Sequence, residues 1–206
     1  MKRFVIGLMV AATAVIGFGG VGALADPSNH WQLANGSAQG SEGIATVNFS
    51  VADKTRLLYN SKDRELLGNL LSSTMTATFT VSGVNEGATF TASGTCGSTP
   101  ATARLFFESI PPGAKFAYTN YWWADASTAS YVLANGTATI KAVVDPTLGL
   151  WSDWNGQTSA ANAEAFNAAA ANVTEVGLSF GGGCFFENGV GTTDGSGTFT
   201  LDAFTS

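Results

Sequence analysis

The chain is poor in the residues that metal and redox chemistry use. Its 206 residues include two cysteines, Cys96 and Cys184, and one histidine, His30. Two sulfurs and one imidazole do not fill a tetrahedral zinc shell. Basic residues are also scarce, nine lysines and arginines against fifteen acids. With no basic cluster, the chain lacks the lysine and arginine stripes that phosphate backbones require, which argues against nucleic acid and against anionic lipid. Charge of either sign covers only 12% of the residues while 45% are apolar. Disordered chains show the reverse balance, so a packed core is expected. Beyond residue 21 no run is apolar enough to span a bilayer.

The first residues define a compartment. Lys2 and Arg3 precede an uncharged apolar run from Phe4 to Val21, and Ala23-Leu24-Ala25 carries small residues at the positions a signal peptidase reads. The expectation is a signal peptide over 1–25, an exported mature chain from Asp26, and no membrane span after cleavage. Loss of Lys2 and Arg3 moves the formal charge from −6 to −8. In an exported chain Cys96 and Cys184 most simply form one disulfide. Closing a loop of that length is worth about 4–5 kcal/mol in the chain-entropy account.

The rest of the chain has a period of two. Ala45, Val47, Phe49 and Val51 alternate with polar residues, as do Met75, Ala77, Phe79 and Val81, and again Phe199, Leu201 and Ala203. Each segment reads as a strand with one buried face. Further strands are expected over 88–93, 103–108, 117–123, 131–133, 136–144 and 176–180, with Asn135-Gly136 as a hairpin turn. Many short strands at close spacing predict an all-β antiparallel sandwich. One helix interrupts them. Ser159 is placed to cap an alanine-rich stretch, Ala160–Asn172, in which Phe166, Ala169, Ala170 and Val173 form one apolar stripe. A weaker helical turn is expected over Ser61–Leu67. The domains so read are a signal peptide (1–25), a polar amino-terminal segment (26–43) and one sandwich (44–206).

Three groups of residues resemble a known family. Arg64-Glu65-Leu66-Leu67-Gly68-Asn69 leads into the strand Met75–Val81. Trp151 and Trp154 precede Phe166 and then Ala171-Asn172-Val173-Thr174-Glu175-Val176-Gly177-Leu178. Thr200-Leu201-Asp202-Ala203-Phe204 ends the chain. In this order they resemble secreted jelly-roll modules of the galactose-binding-like superfamily, of the laminin domain IV and carbohydrate-binding-module types. Ala203 stands where that pattern has asparagine. The resemblance implies a jelly roll with one short helix and a non-catalytic binding role, often toward glycans. It also implies a structural calcium near Asp202, which Glu42 and Asp26 could complete; otherwise no cofactor is implied.

Aromatic residues carry the functional expectation. Tyr118, Tyr121, Trp122 and Trp123 fall close together, and Trp151 and Trp154 flank a short loop. Sugar rings stack their C–H faces on flat aromatic surfaces while amides and carboxylates bond the hydroxyls. The candidate ligand-binding set is Tyr121, Trp123, Trp151 and Trp154, with Asp125, Asp153 and Asn155 as polar neighbours. Core packing is the competing reading for these rings, because large aromatics in sandwiches are mostly buried. Arg104 and Glu108 share one face of a strand and form an outward pair or meet a ligand. Gly181-Gly182-Gly183 lacks the Lys-Ser/Thr of a phosphate loop, and reads as a glycine bulge that bends toward Cys96.

Catalytic signatures are sparse. No nucleophile elbow is present, and no spacing pairs any two of the carboxylates Glu108, Glu175 and Asp202. The reading is a secreted non-catalytic module for an extracellular polysaccharide or cell-surface protein. A surface or matrix structural protein is the alternative, followed by a glycan hydrolase.

Overall fold

A computed structural model describes residues 30–34, 44–52, 55–93, 100–182 and 186–206. The signal-peptide segment, Asp26, Glu42, Cys96 and Cys184 lie outside the described residues. The elements run β1 (Trp31–Leu33), β2 (Ala45–Ser50), β3 (Leu57–Asn60), β4 (Thr74–Ser82), β5 (Phe90–Ala92), β6 (Thr102–Glu108), β7 (Tyr121–Ala124), β8 (Ser130–Val132), β9 (Gly136–Val143), β10 (Trp151–Asp153), α1 (Ala163–Ala170), β11 (Glu175–Gly181), β12 (Val190–Thr192) and β13 (Ser196–Thr205).

These strands form an antiparallel β-sandwich. One sheet is ordered β1-β3-β11-β6-β7-β10, with β8 also on β6. The facing sheet is ordered β2-β13-β4-β9, and a β5–β12 pair stands apart from both. The last strand, β13, lies inside its sheet with β2 on one side and β4 on the other. The end of the chain therefore completes the core rather than trailing from it.

Alternation along each strand fills the space between the sheets. From the larger sheet Leu58, Leu105, Phe107, Trp122, Leu178 and Phe180 point inward; from the smaller, Val47, Phe49, Met75, Phe79, Phe199 and Leu201 meet them. Phe79 stacks on Phe199 at 4.6 Å, and Phe180 meets Phe199 edge-on at 5.2 Å. Burying one such side chain contributes about 1.5–3 kcal/mol. The outer face of the smaller sheet is a threonine ladder. Thr78 bonds Thr139 at 2.9 Å and Thr80 bonds Thr137 at 3.0 Å. Such cross-strand hydroxyl pairs stabilise a sheet by a few tenths of a kcal/mol up to about 1 kcal/mol each.

The helix is shorter than its alanine run. Thr158 to Asn162 form turns, and the Ser159 hydroxyl donates to the Pro146 carbonyl instead of capping α1. Phe166, Ala169 and Ala170 are its buried stripe, as the spacing predicts. Phe166 meets Phe107, Trp122 and Trp151, so α1 closes the core over one part of the larger sheet. Over 61–67 the chain makes turns rather than a helical turn, because Asn60 Oδ1 accepts the amides of Lys62 and Asp63.

Two further expectations are corrected. Asn135-Gly136 does not turn a hairpin. It carries the chain from β8 in one sheet to β9 in the other, with Gly136 at φ 142°. Part of the amino-terminal segment belongs to the sandwich, since β1 pairs with β3 and Trp31 packs on Phe204 at 5.1 Å.

Candidate functional site

Strand parity sends half of the larger sheet's side chains outward, and register sorts them into rows. One row crosses the strands as Tyr121, Glu108 and Glu175. The next runs Ser152, Trp123, Phe106, Gly177, Tyr59 and Gln32. The third includes Arg104, Ser179 and Leu57. Gly177 is required in its row, because a Cβ there would lie 2.1 Å from the Leu58 carbonyl oxygen.

This outer face carries a second apolar cluster, separate from the core. Leu57, Phe106, Tyr121 and Trp123 are its buried members, with Tyr59, Trp154 and Phe186 packed on them. The rings form a continuous path. Phe106 stacks on Tyr121 at 5.1 Å, Tyr121 meets Trp123 at 4.6 Å, and Trp123 stacks on Trp154 at 5.2 Å with 29° between the planes. Trp154 then meets Phe116 at 5.2 Å, and Phe116 meets Tyr118 at 5.9 Å. The path ends in solvent, with Phe116 47% and Tyr118 53% exposed. On the other side Phe186 lies edge-on to Trp123, and the Arg104 guanidinium sits 3.9 Å from the Phe186 ring centre.

Beside the Trp123–Trp154 stack opens a cavity of about 290 Å³, lined by both rings with Asp125, Ser152, Asp153, Gly156 and Phe186. Asp153 Oδ1 accepts the amides of Asn155 and Gln157, which fixes the short loop that presents Trp154. Its Oδ2 is buried and has no hydrogen-bond partner. Burial raises the Asp125 carboxyl above its ordinary range, while Ser152 and Arg104 draw it back down. Burial likewise lowers the Arg104 guanidinium, and Asp125 opposes that shift. A larger cavity of about 640 Å³ lies between α1 and the 109–120 segment. Its walls are alanines, prolines and neutral polar groups such as Ser109, Asn120 and Asn172, with no aromatic or ionisable side chain. The smaller cavity therefore carries more binding chemistry.

The sequence-predicted residues divide between two faces. Trp123, Trp154, Asp125 and Asp153 line one cavity, with Asn155 exposed next to them and Tyr121 buried under Trp154. Trp151 does not join them. It points into the core, fully buried, and its Nε1 donates to the Val143 carbonyl at 2.8 Å. Trp123 is only 2% exposed, so of the three nominated tryptophans Trp154 alone reaches the surface. Arg104 pairs with Asp125 at 3.5 Å rather than with Glu108. Asp202 is exposed and accepts from the Thr80 hydroxyl at 2.9 Å. Among the described residues no three acidic, imidazole or thiol side chains converge as metal ligands. Gly181 and Gly182 do serve a close approach: a Cβ on Gly181 would meet Asn188 Oδ1 at 2.6 Å, and Asn188 clasps Gly182 through both its N–H and its carbonyl.

Sequence reasoning missed Phe106, Phe116, Tyr59 and Phe186, and left Glu108 and Glu175 unpaired. Parity places Phe106 and Glu108 on one face of β6, but their neighbours come from register with β7 and β11. Glu108 and Glu175 stand directly opposite. Burial lifts Glu108 to about 7. Burial, then Glu108 and Glu187, lifts Glu175 to about 8. Glu187 reaches about 7 by burial, against the opposing pull of Tyr121 and Arg56.

No family model, curated protein or solved structure matches this chain. The fold itself, an all-β antiparallel sandwich, is compatible with a jelly roll. Among the described residues no helix is long and apolar enough to cross a membrane.

Proposed function

We propose that this chain is a secreted, non-catalytic jelly-roll module of the galactose-binding-like kind that binds an extracellular polysaccharide along the Trp154 edge of its larger sheet. One observation carries the reading. Trp154 is partly exposed, backed by Trp123 and continued by the exposed rings of Phe116 and Tyr118, and it borders a cavity with two carboxylates. Stacked rings give pyranose faces a rigid apolar surface, and Asp125, Asp153 and Asn155 offer acceptors and an amide to the hydroxyls. The proposal includes one disulfide between Cys96 and Cys184, the simplest pairing of two cysteines in an exported chain.

A glycan array on the mature protein, repeated with Trp154→Ala and Phe116→Ala, tests the proposal. Loss of an anchoring ring costs about 2 kcal/mol, a roughly thirtyfold weaker Kd. Binding to no glycan, or undiminished binding by both variants, overturns it. The burial of Trp151 and Trp123 and the threonine-laced outer face of the smaller sheet favour a second reading, a surface structural module that assembles with itself. Sedimentation of the mature protein tests that reading, and a monomer at all concentrations excludes it.

A further inference from the structure

The larger cavity, of about 640 Å³, takes no part in stacking at the Trp154 edge, yet the fold joins the two. The short turn Tyr118–Asn120 links them. Tyr118 carries the exposed ring that continues Phe116 and Trp154, and its backbone carbonyl accepts the Trp154 amide at 3.3 Å. The next two residues, Thr119 and Asn120, line the cavity, and α1 packs against the same turn. The cavity thus lies at the Tyr118 end of the aromatic path.

Volume and lining both suit a sugar. Small-molecule sites run from about 300 to 1,000 Å³ and combine mostly apolar walls with a few polar groups. Here Pro111, Pro112, Ala165, Ala168 and Val173 give small apolar walls. Some of the polar groups are already engaged. The Ser109 hydroxyl donates to the Asn172 backbone carbonyl at 2.7 Å, and the Thr174 hydroxyl donates to the Glu108 backbone carbonyl at 3.2 Å and accepts the Ile110 amide at 2.9 Å. Among the described residues the Thr119 hydroxyl and the Asn120 carboxamide hold no hydrogen bond, so both are left for a ligand. No ionisable side chain lines the cavity. A carboxylate, sulfate or free amine on the sugar would lose its hydration there with no opposite charge in return. An acetamido group is neutral and has two ends. Its methyl suits the alanine and proline walls, and its N–H and C=O match a carboxamide, which both accepts and donates. A bare hydroxyl at the same ring position leaves those walls uncovered.

We propose that this cavity receives the acetamido group of an N-acetylated amino sugar within the bound polysaccharide, with Asn120 hydrogen-bonding the amide and the α1 alanines flanking the methyl. This inference rests on the polysaccharide reading and names its sugar class. Neighbouring pyranose rings of the same chain stack on Tyr118, Phe116 and Trp154, so the platform supplies affinity and the cavity supplies the choice of sugar.

The test is calorimetric titration of the mature protein with a β-1,4-linked N-acetylglucosamine hexamer and with the β-1,4-linked glucose hexamer, which differs from it only in the acetamido substituent. The acetylated hexamer binds about tenfold more tightly, the worth of one hydrogen bond and a buried methyl. Ala168→Leu fills the cavity from an exposed helical position, where leucine is a good helix former. Asn120→Ala removes the carboxamide and leaves α1 untouched. Each variant brings the ratio of the two affinities toward one. Trp154→Ala weakens both hexamers alike and keeps the ratio. Equal affinity for the two hexamers overturns the acetamido site and leaves the polysaccharide reading standing. So does a ratio that neither cavity variant moves, or one that is lost in Trp154→Ala. Failure of the acetylated hexamer while other glycans on the array bind also overturns this site alone. Binding to no glycan overturns both.

Discussion

Stability of the unliganded protein should fall as pH rises through neutrality, with the three outer-face glutamates as the cause. A carboxyl whose folded pKa lies above its unfolded value holds its proton more tightly when folded. The folded state then binds more protons, and stability decreases with pH. Glu108 and Glu187 stand at about 7 and Glu175 at about 8, against an ordinary 4.5. Their contribution is present below that ordinary value and is lost as pH climbs toward 8. Asp145, held low by Thr147, has the opposite sign and acts only at more acid pH. A tenfold difference in proton affinity between the folded and unfolded states corresponds to about 1.4 kcal/mol. Solvent reaches all three groups and screens their repulsion, which brings the expected loss to about 2–4 kcal/mol between mildly acid and mildly alkaline pH. For a chain of this size that lowers Tm by about 5–15 °C. Thermal melts followed by circular dichroism at several pH values measure it directly. Glu175→Gln removes the carboxyl with the highest pKa, so it should melt higher than wild type above neutrality and show about half the slope. A flat or rising wild-type Tm across this range, or an unchanged slope in Glu175→Gln, refutes the reasoning.

Other consequences follow from the packing. Trp151→Ala removes a fully buried indole and its bond to Val143, and should cost about 3–5 kcal/mol in chemical denaturation. Trp154→Ala, at the surface, should cost no more than about 1–2 kcal/mol in the same assay, since a part-exposed ring leaves little cavity. Gly177→Ala drives a methyl into the Leu58 backbone, which cannot yield without breaking the β3–β11 ladder. It should lose about 3 kcal/mol or more and express poorly. Native mature protein should present no thiol to an Ellman titration, and reduction should lower stability by about 2–4 kcal/mol. Two titratable thiols before denaturation would refute the disulfide.

Much of the architecture is legible along the chain because strand parity is a local property. Alternation at 45–49, 75–81 and 199–201 identifies three inward-facing strands, and the spacing of Phe166, Ala169 and Ala170 identifies the helix stripe; Val51, past the end of β2, is exposed, and a bulge after Leu201 turns Ala203 outward and Phe204 into the core. Short elements such as Trp31–Leu33, Leu57–Asn60 and Trp151–Asp153 escape that reading, because three or four residues hold too little periodicity to detect. Parity also separates Trp122 from Trp123. It does not say which side faces the second sheet, so the buried Trp151 and the partly exposed Trp154 look alike in sequence.

Composition and alternation by themselves determined the class of this protein: an acidic, aromatic-rich chain that folds as an antiparallel sandwich with one alanine-rich helix. The meeting of Glu108 with Glu175, of Trp123 with Trp154 and of Arg104 with Asp125 was decided only in three dimensions. Parity depends on nearest neighbours in the chain. Register depends on which distant strands lie side by side, and each of these contacts joins residues separated by a stretch of chain whose length does not encode where it lands.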